Sequence, residues 1–358
     1  MLDAKIARTV FRDRDNERRW DLTKLPGFMN ERGPDAMSQI EVIGFENTNE
    51  ENFSFSMKDF QTGEIVFDTS KRALVMSDKY LEIGYVLPSQ ILFGLGQHNS
   101  KFLLSEGNWT MFNRDRSGSP VADGEGNKQT YGTHPFLMCK TQNNKFIGIL
   151  FYNSNAQEVN IKFTKSGKSI VTYRTVGGML DIYYFMAGTA DEVIVNYNNM
   201  VGKPALPPFW SLGFHQCSWL YNNTDDLKNV LTNYQNEGFL IDTLWTDIPY
   251  MHNYVDFSVD NVAFKDLKDF IENTLKPQNM HFVPIIDAGI SMESDAQGTN
   301  WFNKGQEMGI FIKSMKNPDI HNGTLIGHVW PNHTAFVDFL HPNSTDYWGQ
   351  GLGYLYNQ

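Results

Sequence analysis

The sequence predicts a β-sandwich followed by a parallel α/β sheet or barrel, and two patterns carry this prediction. The first half has short apolar runs between turn-forming residues, such as "GEIVFDT" and "YLEIGYVL", which is typical of a sandwich built from many short strands. In the second half, strand-like and helical segments alternate, which indicates parallel βαβ units. The proline-marked stretch "KPALPPFW" lies between them. We therefore expect domains over residues 1–205 and 206–358.

The first domain is predicted to end with a capped helix over "TADEVIVNYNNMVG", residues 189–202. Thr189 is the expected N-cap, Glu192 completes a capping box and Gly202 ends the helix. The strands before it are predicted in the segments "ENFSFSMKD", "GEIVFDT", "RALVMSD", "YLEIGYVL", "KFIGILFYNS", "QEVNIKFT" and "SIVTYRTVGGMLDIYYFM".

The second domain is predicted to contain parallel strands joined by helices. The expected elements are a strand over 209–216, a helix over 224–238, a strand over 239–247, a helix over 264–276, a strand over 280–289 and a final helix over "STDYWGQGLGYLYNQ". In barrels of this kind the carboxyl ends of the strands carry the active site. His215, Asp247 and Asp287 each fall at the end of a predicted strand, so they are the leading site candidates.

The charge balance limits the classes of molecule that the protein is expected to bind. The 358 residues contain 30 Lys and Arg against 41 Asp and Glu, a net charge of −11. Such a surface repels phosphate backbones and anionic lipid, so we expect no nucleic-acid partner. The longest apolar runs have the length of strands, so no membrane span is expected. The first 20 residues lack the apolar core of a signal peptide, so none is visible in this sequence.

Cofactor and metal motifs are lacking in the sequence. There is no Walker loop, no G-x-S-x-G and no His or Cys ligand spacing, so neither a metal nor a cofactor is expected. Cys139 and Cys217 could form one disulfide or remain as two free buried thiols. Six N-x-[ST] sequons permit secretion without proving it: Asn52, Asn108, Asn222, Asn322, Asn332 and Asn343.

Each candidate residue also has a structural interpretation. Asp247 could bind sugar hydroxyls at a barrel mouth or cap the turn that follows its strand. Arg114 and Asp115 could simply pair at the surface. Aromatic rings suit sugar binding, but individually core packing is favoured for them. The aromatic residues near the predicted strand ends are Trp219, Tyr221, Trp245, Tyr250 and Trp330.

Ordered motifs then point to a family. "FGLGQH", "FNRD", "YGTHPFLM", "GFHQCSWLY", "DTLWTDIPYM", "DFSVD", "FVPIIDAGIS", "GHVWPNHTAFVDFLHP" and "DYWGQGLGYLY" follow one another along the chain. This order resembles glycoside hydrolase family 31, in its acid α-glucosidase, maltase-glucoamylase and sucrase-isomaltase branch. The resemblance covers roughly residues 20–358.

The resemblance implies a galactose-mutarotase-like sandwich followed by the first part of an incomplete (β/α)8 TIM barrel. It implies retaining hydrolysis of terminal α-glucosyl residues by an Asp nucleophile and a separate Asp acid/base, without metal or cofactor. The expected substrate is an α-linked gluco-oligosaccharide. Members of this branch enter the secretory pathway, so a lysosomal or extracellular location is expected.

The same resemblance assigns expected roles to site residues. Asp247 matches an acid that binds hydroxyls of the sugar in the −1 subsite, and Asp287 matches an acid that lines this subsite. Trp330 matches an aromatic wall of the subsite. Arg114 and Asp115 match a pair that lies over the entering sugar. The complete set of expected substrate contacts is Asp247, Asp287, Trp330, Arg114, Asp115, Trp219 and Ile248.

Two departures from the family pattern matter. Loop residues differ at Gln97, Ser218, Leu220, Pro249, Ala288 and Asn332, which affects loop shape and leaving-group preference more than substrate class. The family's nucleophile segment, "D-G-x-W-x-D-M-N-E", follows the helix at the end of this sequence. We therefore expect an N-terminal fragment whose nucleophile and acid/base lie beyond Gln358. The alternatives are a non-catalytic carbohydrate-binding or decoy protein and an unrelated α/β enzyme.

The final helix carries a related expectation. Tyr347, Trp348, Leu352, Leu355 and Tyr356 recur at helical spacing. Without a fourth strand to cover, this apolar face is expected to lie in water.

Overall fold

The computed structural model of the protein describes residues 6–12, 19–22, 40–45, 53–72, 74–113 and 128–358. The chain divides into two compact units, Met1–Pro204 and Ala205–Gln358. The second unit is described throughout its length.

The first unit is a sandwich of antiparallel sheets, as the apolar pattern predicts. Its described residues form the strands β1 (Ile6–Phe11), β2 (Ile40–Phe45), β3 (Ser54–Asp59), β4 (Ile65–Asp68), β5 (Leu74–Ser77), β6 (Tyr80–Leu87), β7 (Leu92–Asn99), β8 (Gly107–Met111), β9 (Lys128–Lys140), β10 (Phe146–Phe151), β11 (Gln157–Phe163), β12 (Ser169–Thr175) and β13 (Leu180–Ala187). One sheet has the order β1-β13-β10-β9-β7. The other has the order β2-β3-β4-β6-β12-β11-β8, with β5 paired to β6.

The sandwich core follows from alternating side chains. In β12 every second residue is buried, because successive side chains of a strand point to opposite faces. Phe151 and Tyr173 stack between the sheets with ring centroids 3.8 Å apart. Trp109 is 1% exposed in the same core. Large aromatic side chains therefore supply much of the apolar area that stabilises this unit.

Gly94 in β7 is a position that only glycine fits. Its φ is +112°, and a Cβ there would lie 2.2 Å from the carbonyl oxygen of Phe136. We expect Gly94→Ala to lower the free energy of unfolding of the first unit by about 3 kcal/mol, because left-handed strain adds to a backbone clash.

The matched control is Gly63→Ala. Gly63 has a φ of +71°, but nothing lies within 4 Å of the place where its Cβ would stand. Gly63→Ala introduces left-handed backbone strain without a clash, so we expect it to lower the free energy of unfolding by about 1 kcal/mol. Urea unfolding followed by circular dichroism measures both losses. Equal losses would show that the predicted clash at Gly94 is relieved without cost.

The capped helix at the end of the first unit is confirmed. Helix α1 (Ala190–Val201) begins after Thr189, whose hydroxyl accepts a hydrogen bond from the Glu192 N–H. The Glu192 carboxylate accepts from the Thr189 N–H in return, which completes the capping box. Gly202 ends the helix with a φ of +98°. The local sequence alone is sufficient for this element.

The second unit contains a parallel sheet with the predicted βαβαβ order. Its strands are β14 (His215–Gln216), β15 (Thr243–Thr246) and β16 (His281–Pro284), with β15 in the middle. Helix α2 (Thr224–Asn236) connects β14 to β15. Helix α3 (Leu267–Phe270) continues through a π-helical turn (Ile271–Leu275) and a 3-10 turn (Lys276–Gln278) before β16.

The predicted strands of this unit are too long. Residues 239–247 and 280–289 form strands of only four residues each. The predicted strand over 209–216 is wrong in its first half, because Phe209–Leu212 is a 3-10 helix. Pro208 precedes this turn, and the Ser211 hydroxyl donates a hydrogen bond of 2.7 Å to the Pro208 carbonyl oxygen. The proline and serine thus favour a turn over an extended chain.

Between β16 and the last helix the chain makes an excursion that the sequence analysis did not predict. The short strands β17 (Gly289–Ser291), β18 (Ile326–Val329) and β19 (Asn332–Phe336) form an antiparallel sheet in the order β17-β19-β18. Helix α4 (Trp301–Met308) contacts β17 and the final helix α5 (Ser344–Asn357).

The excursion corrects the expectation that α5 exposes its whole apolar face. Tyr347 is fully buried, and its ring lies 5.8 Å from that of Trp301 in α4. Trp348 is half-buried against Phe257. Leu352 and Tyr356 remain exposed, at 41% and 83%. The excursion and the loop that carries Phe257 therefore cover one side of the helix and leave the other open.

Candidate active site

Asp247 lies directly after β15, at the carboxyl end of the central strand. Its Oδ1 accepts a hydrogen bond of 2.8 Å from the Ile248 N–H and caps the 3-10 turn Ile248–Tyr250. The side chain is half-buried. The turn-capping interpretation of Asp247 is therefore correct as local structure, and it positions the carboxylate at the edge where a barrel keeps its active site.

Asp287 lies three residues beyond the end of the neighbouring strand β16. Burial raises the pKa of the Asp287 carboxyl group, and the negative charge of Asp247 raises it further. Two like charges perturb each other only at short range. The carboxyl groups of Asp247 and Asp287, which follow β15 and β16, therefore interact electrostatically. The two strands are parallel neighbours with Thr246 opposite Pro284, so both acids lie at the same edge of the sheet.

This coupling predicts a pH effect. We expect Asp247→Asn to lower the pKa of Asp287, because the substitution removes the neighbouring negative charge that favours the protonated form. Carbon NMR of the Asp287 carboxyl group, titrated in the full chain, measures the shift. Asp266→Asn is the control, since the Asp266 carboxylate is half exposed and lies 3.9 Å from Lys228. An Asp287 titration that is the same in both variants would contradict the coupling.

Two predicted aromatic contacts lie together and are accessible. Trp219 and Trp330 have ring centroids 5.1 Å apart and an interplanar angle of 40°. They are 40% and 59% exposed, and Trp330 occupies the tip of the β18–β19 hairpin. Tyr254, which sequence reasoning missed, lies 6.5 Å from Trp219 and is 36% exposed. Together these rings form an open aromatic surface.

The other aromatic candidates have structural roles. Tyr221 and Tyr250 are buried in the core of the second unit, as core packing predicts. The Trp245 indole N–H donates a hydrogen bond of 2.7 Å to His215 Nδ1. Of the five aromatic residues, only Trp219 and Trp330 present accessible rings together.

The placement of His215 at a carboxyl strand end is wrong. His215 begins β14 and is level with Thr243 and His281, which begin β15 and β16. The carboxyl end of this sheet lies beyond Thr246, where Asp247 follows. His215 is therefore at the amino-terminal edge of the parallel sheet. The prediction was wrong because the strand over 209–216 was expected to be longer than the two residues of β14.

Three further site expectations depend on other positions. Arg114 and Asp115 lie outside the described residues. Ile248 is 2% exposed and packs in the core of the second unit. Ile248 contacts the site through its backbone N–H, which donates a hydrogen bond to the Asp247 carboxylate. The proposed substrate contacts of these three residues stay predictions.

The two cysteines are free, and one differs from expectation. Cys139 is buried, whereas Cys217 is exposed. Partial desolvation raises the pKa of the Cys217 thiol, and the charge of Asp247 raises it further. The loop after β14 therefore passes close to Asp247. Cys217 and Trp219 both belong to this loop, and Trp219 is part of the aromatic surface.

Asp256 is the acidic residue that sequence reasoning did not select. Its carboxyl oxygen Oδ1 accepts a hydrogen bond of 3.0 Å from the Asp287 N–H, and the side chain is 1% exposed. The motif "DFSVD" was visible, but nothing local signals a contact with a residue 31 positions further on. Within the described residues, no group of three or more His, Cys, Asp or Glu side chains is arranged to hold a metal ion.

Carboxylates at the carboxyl ends of parallel strands, in a unit that also presents accessible tryptophans, are typical of glycoside hydrolases. The chain belongs to glycosyl hydrolase family 31. Residues 46–160 match the family's N-terminal galactose mutarotase-like domain, and residues 204–357 match its TIM-barrel domain. The family resemblance drawn from the motifs is thereby confirmed.

Several relatives are α-glucosidases by name. The chain is 35% identical to the lysosomal acid alpha-glucosidase of Tetrahymena pyriformis over 84% of its own length and 32% of that protein. It is 36% identical to human intestinal sucrase-isomaltase over 83% of its length and 16% of that protein. The Hordeum vulgare alpha-glucosidase is 35% identical over 84% and 33%. The chain thus spans a third or less of the length of these relatives.

Solved structures share the fold. The ER glucosidase II complex of a catalytic subunit and the binding domain of a regulatory subunit matches with a TM-score of 0.79 at 18% identity, covering 97% of this chain and 45% of that one. A family 31 dextranase of Flavobacterium johnsoniae matches with a TM-score of 0.79 at 20% identity, covering 99% and 43%. Within the described residues, no helix has both the length and the apolar character that crossing a membrane requires.

Proposed function

We propose that this chain is the sandwich and first barrel segment of a retaining α-glucosidase that acts on α-linked gluco-oligosaccharides. The observation that carries the proposal is the placement of Asp247 and Asp287 after the neighbouring parallel strands β15 and β16, at the carboxyl edge of the sheet. A glycosidase passes through a transition state with positive character at the sugar ring. Two acids at this edge suit that charge and the sugar hydroxyls around it.

The aromatic surface supports the same function. Sugar rings present C–H groups that pack on aromatic faces, and the exposed rings of Trp219 and Trp330 offer such faces. We assign Asp247 and Asp287 to hydroxyl binding in the first sugar subsite and the two tryptophans to its apolar wall. Arg114 and Asp115 belong to the proposal as contacts with the entering sugar, on the family pattern alone.

Domain limits and location are part of the proposal. A sandwich domain over 1–205 and a barrel segment over 206–358 fit the division of the chain between Pro204 and Ala205. A lysosomal or extracellular location is supported by relatives described as lysosomal and intestinal. The alternative of a non-catalytic carbohydrate-binding protein has no observation of its own in its favour.

Product stereochemistry tests the proposal. An enzyme that contains these 358 residues should release glucose faster from an aryl α-glucoside than from the β-anomer, and proton NMR should show α-glucose as the first product, since retention passes through a covalent intermediate. Turnover of neither glucoside would contradict the α-glucosidase assignment. First release of β-glucose would contradict the retaining mechanism.

A further inference from the structure

Asp256 is a buried carboxyl group with one oxygen that makes no hydrogen bond. Oδ1 accepts from the Asp287 N–H, whereas Oδ2 is buried and has no hydrogen-bond partner. Two nearby tyrosine hydroxyls donate their hydrogen bonds elsewhere and not to Asp256. Tyr250 donates to the Ile285 carbonyl, and Tyr347 donates to the Trp301 carbonyl. Within the described residues, no Lys or Arg forms an ion pair with Asp256. A charged carboxylate would be poorly compensated here.

The segment that carries Asp256 is held firmly. Phe257 is fully buried, and its ring lies 5.1 Å from those of both Trp301 and Trp348. The Gln358 side chain donates a hydrogen bond of 2.7 Å to the Phe257 carbonyl oxygen. Phe257 has a φ of +62°, a conformation that persists only where surrounding contacts determine it. The Asp256 side chain therefore starts from a fixed backbone.

Asp256 connects the two loops that carry the site acids. The loop after β15 and the end of β16 are already joined by two hydrogen bonds: the Ile285 N–H donates to the Thr246 carbonyl at 3.1 Å, and the Tyr250 hydroxyl donates to the Ile285 carbonyl at 2.8 Å. The Asp256 bond extends this connection to Asp287 itself. Losing it would free the backbone that places the Asp287 carboxylate next to Asp247.

We propose that Asp256 is a positioning residue, which holds Asp287 beside Asp247 and does so as a neutral carboxyl group. The inference rests on the proposed function for its catalytic consequence, but its geometric part is independent of activity. A neutral carboxyl group keeps an acceptor for the Asp287 N–H and avoids a further negative charge beside Asp287. The titratable groups that face it are Asp287, Tyr250 and Tyr347.

Its titration agrees with this geometry. Burial raises the pKa of Asp256 to about 8; the hydrogen bond from the Asp287 N–H opposes the rise and the charge of Asp287 adds to it. Because the folded protein then retains a proton that the unfolded chain loses near pH 4, stability falls as pH rises from about 4 towards 8.

Hydrogen exchange of the Asp287 amide, resolved by NMR in the full chain, tests the positioning. In Asp256→Ala the Asp287 N–H loses its acceptor and should exchange at least 10-fold faster. In Asp256→Asn the side-chain carbonyl replaces the acceptor and the amide group imitates a neutral carboxyl, so exchange should stay within threefold of wild type. The control is Asp260→Asn, whose Oδ1 accepts from the Val262 and Ala263 N–H groups in the same loop.

Each outcome decides a part of the inference. Unchanged exchange in Asp256→Ala would overturn the positioning role. Fast exchange in Asp256→Asn, equal to that of Asp256→Ala, would overturn the neutral form. If Asp256→Ala does not fold, unfolding midpoints decide: between pH 6 and 9 the midpoint of Asp256→Asn should fall less than that of wild type and of Asp260→Asn. A parallel fall would overturn the inference.

Activity gives the functional arm. In an enzyme that contains this chain, Asp256→Ala should lower kcat/KM for an aryl α-glucoside at least 10-fold, while Asp256→Asn stays within threefold and loses any activity change that accompanies titration near pH 8. Equal losses in both variants would contradict positioning by a neutral group. If the wild type does not act on α-glucosides, the proposed function fails, and the amide exchange result still stands by itself.

Discussion

Asp247→Asn is expected to lower kcat/KM for an α-glucoside by about 100-fold or more in an enzyme that contains this chain. A charge-assisted hydrogen bond to a sugar hydroxyl strengthens as the ring gains positive character, so its loss falls on the transition state. Asparagine keeps an oxygen that can accept from the Ile248 N–H. The capped turn therefore survives, and the measured loss reports the carboxylate charge.

Two further variants separate charge from structure. Asp247→Ala removes both the charge and the cap, so it should lose at least as much activity and some stability. Asp346→Asn is the control for loss of a charge, because Asp346 is exposed in α5 and its carboxylate accepts a hydrogen bond from the Gln350 side chain. Steady-state kinetics on the three variants provide the comparison. A change within twofold in Asp247→Asn would reduce Asp247 to a turn cap.

Phe257→Ala is expected to lower the free energy of unfolding of the second unit by about 3–5 kcal/mol. A fully buried aromatic ring leaves a cavity when it is truncated, and this ring packs between Trp301 and Trp348. The ring also lies where a Cβ on Gly351 of α5 would stand, 2.6 Å from the nearest ring atom. The loop that holds Asp256 therefore shares its anchor with α4 and α5.

Tryptophan fluorescence during urea unfolding measures this loss, since six of the eight tryptophans lie in residues 205–358. The control is Phe209→Ala, because Phe209 is 91% exposed and its truncation leaves no cavity. A loss for Phe257→Ala no larger than that of the control would show that the α4–α5 contact does not depend on this ring.

Elements with local causes were predictable from the sequence. Helix α1 needs only Thr189, Glu192 and Gly202, which lie within one segment. The sandwich strands need only alternation, which β12 shows residue by residue. The positions of Asp247 and Asp287 after strands could be predicted because a polar residue after an apolar run marks the end of a strand wherever that end falls.

Features with distant causes were not predictable. The β17–β19 sheet joins the β18–β19 hairpin to β17, which lies more than 30 residues earlier in the sequence, and strands of three to five residues carry little periodicity. His215 was misplaced because β14 has only two residues, so its end could not be located from an apolar run. Asp256 acts through a backbone amide on another loop, and Tyr254 meets Trp219 through the fold alone.

We expect Asp247 and Asp287 to form one anionic sugar subsite. Calorimetric binding of a protonated iminosugar with glucose configuration, compared with glucose itself, tests this most directly in an enzyme that contains this chain. Two carboxylates should favour the cation by about 10-fold or more, and Asp247→Asn and Asp287→Asn should each reduce that preference. Equal binding of iminosugar and glucose, or a preference that survives both substitutions, would contradict the account.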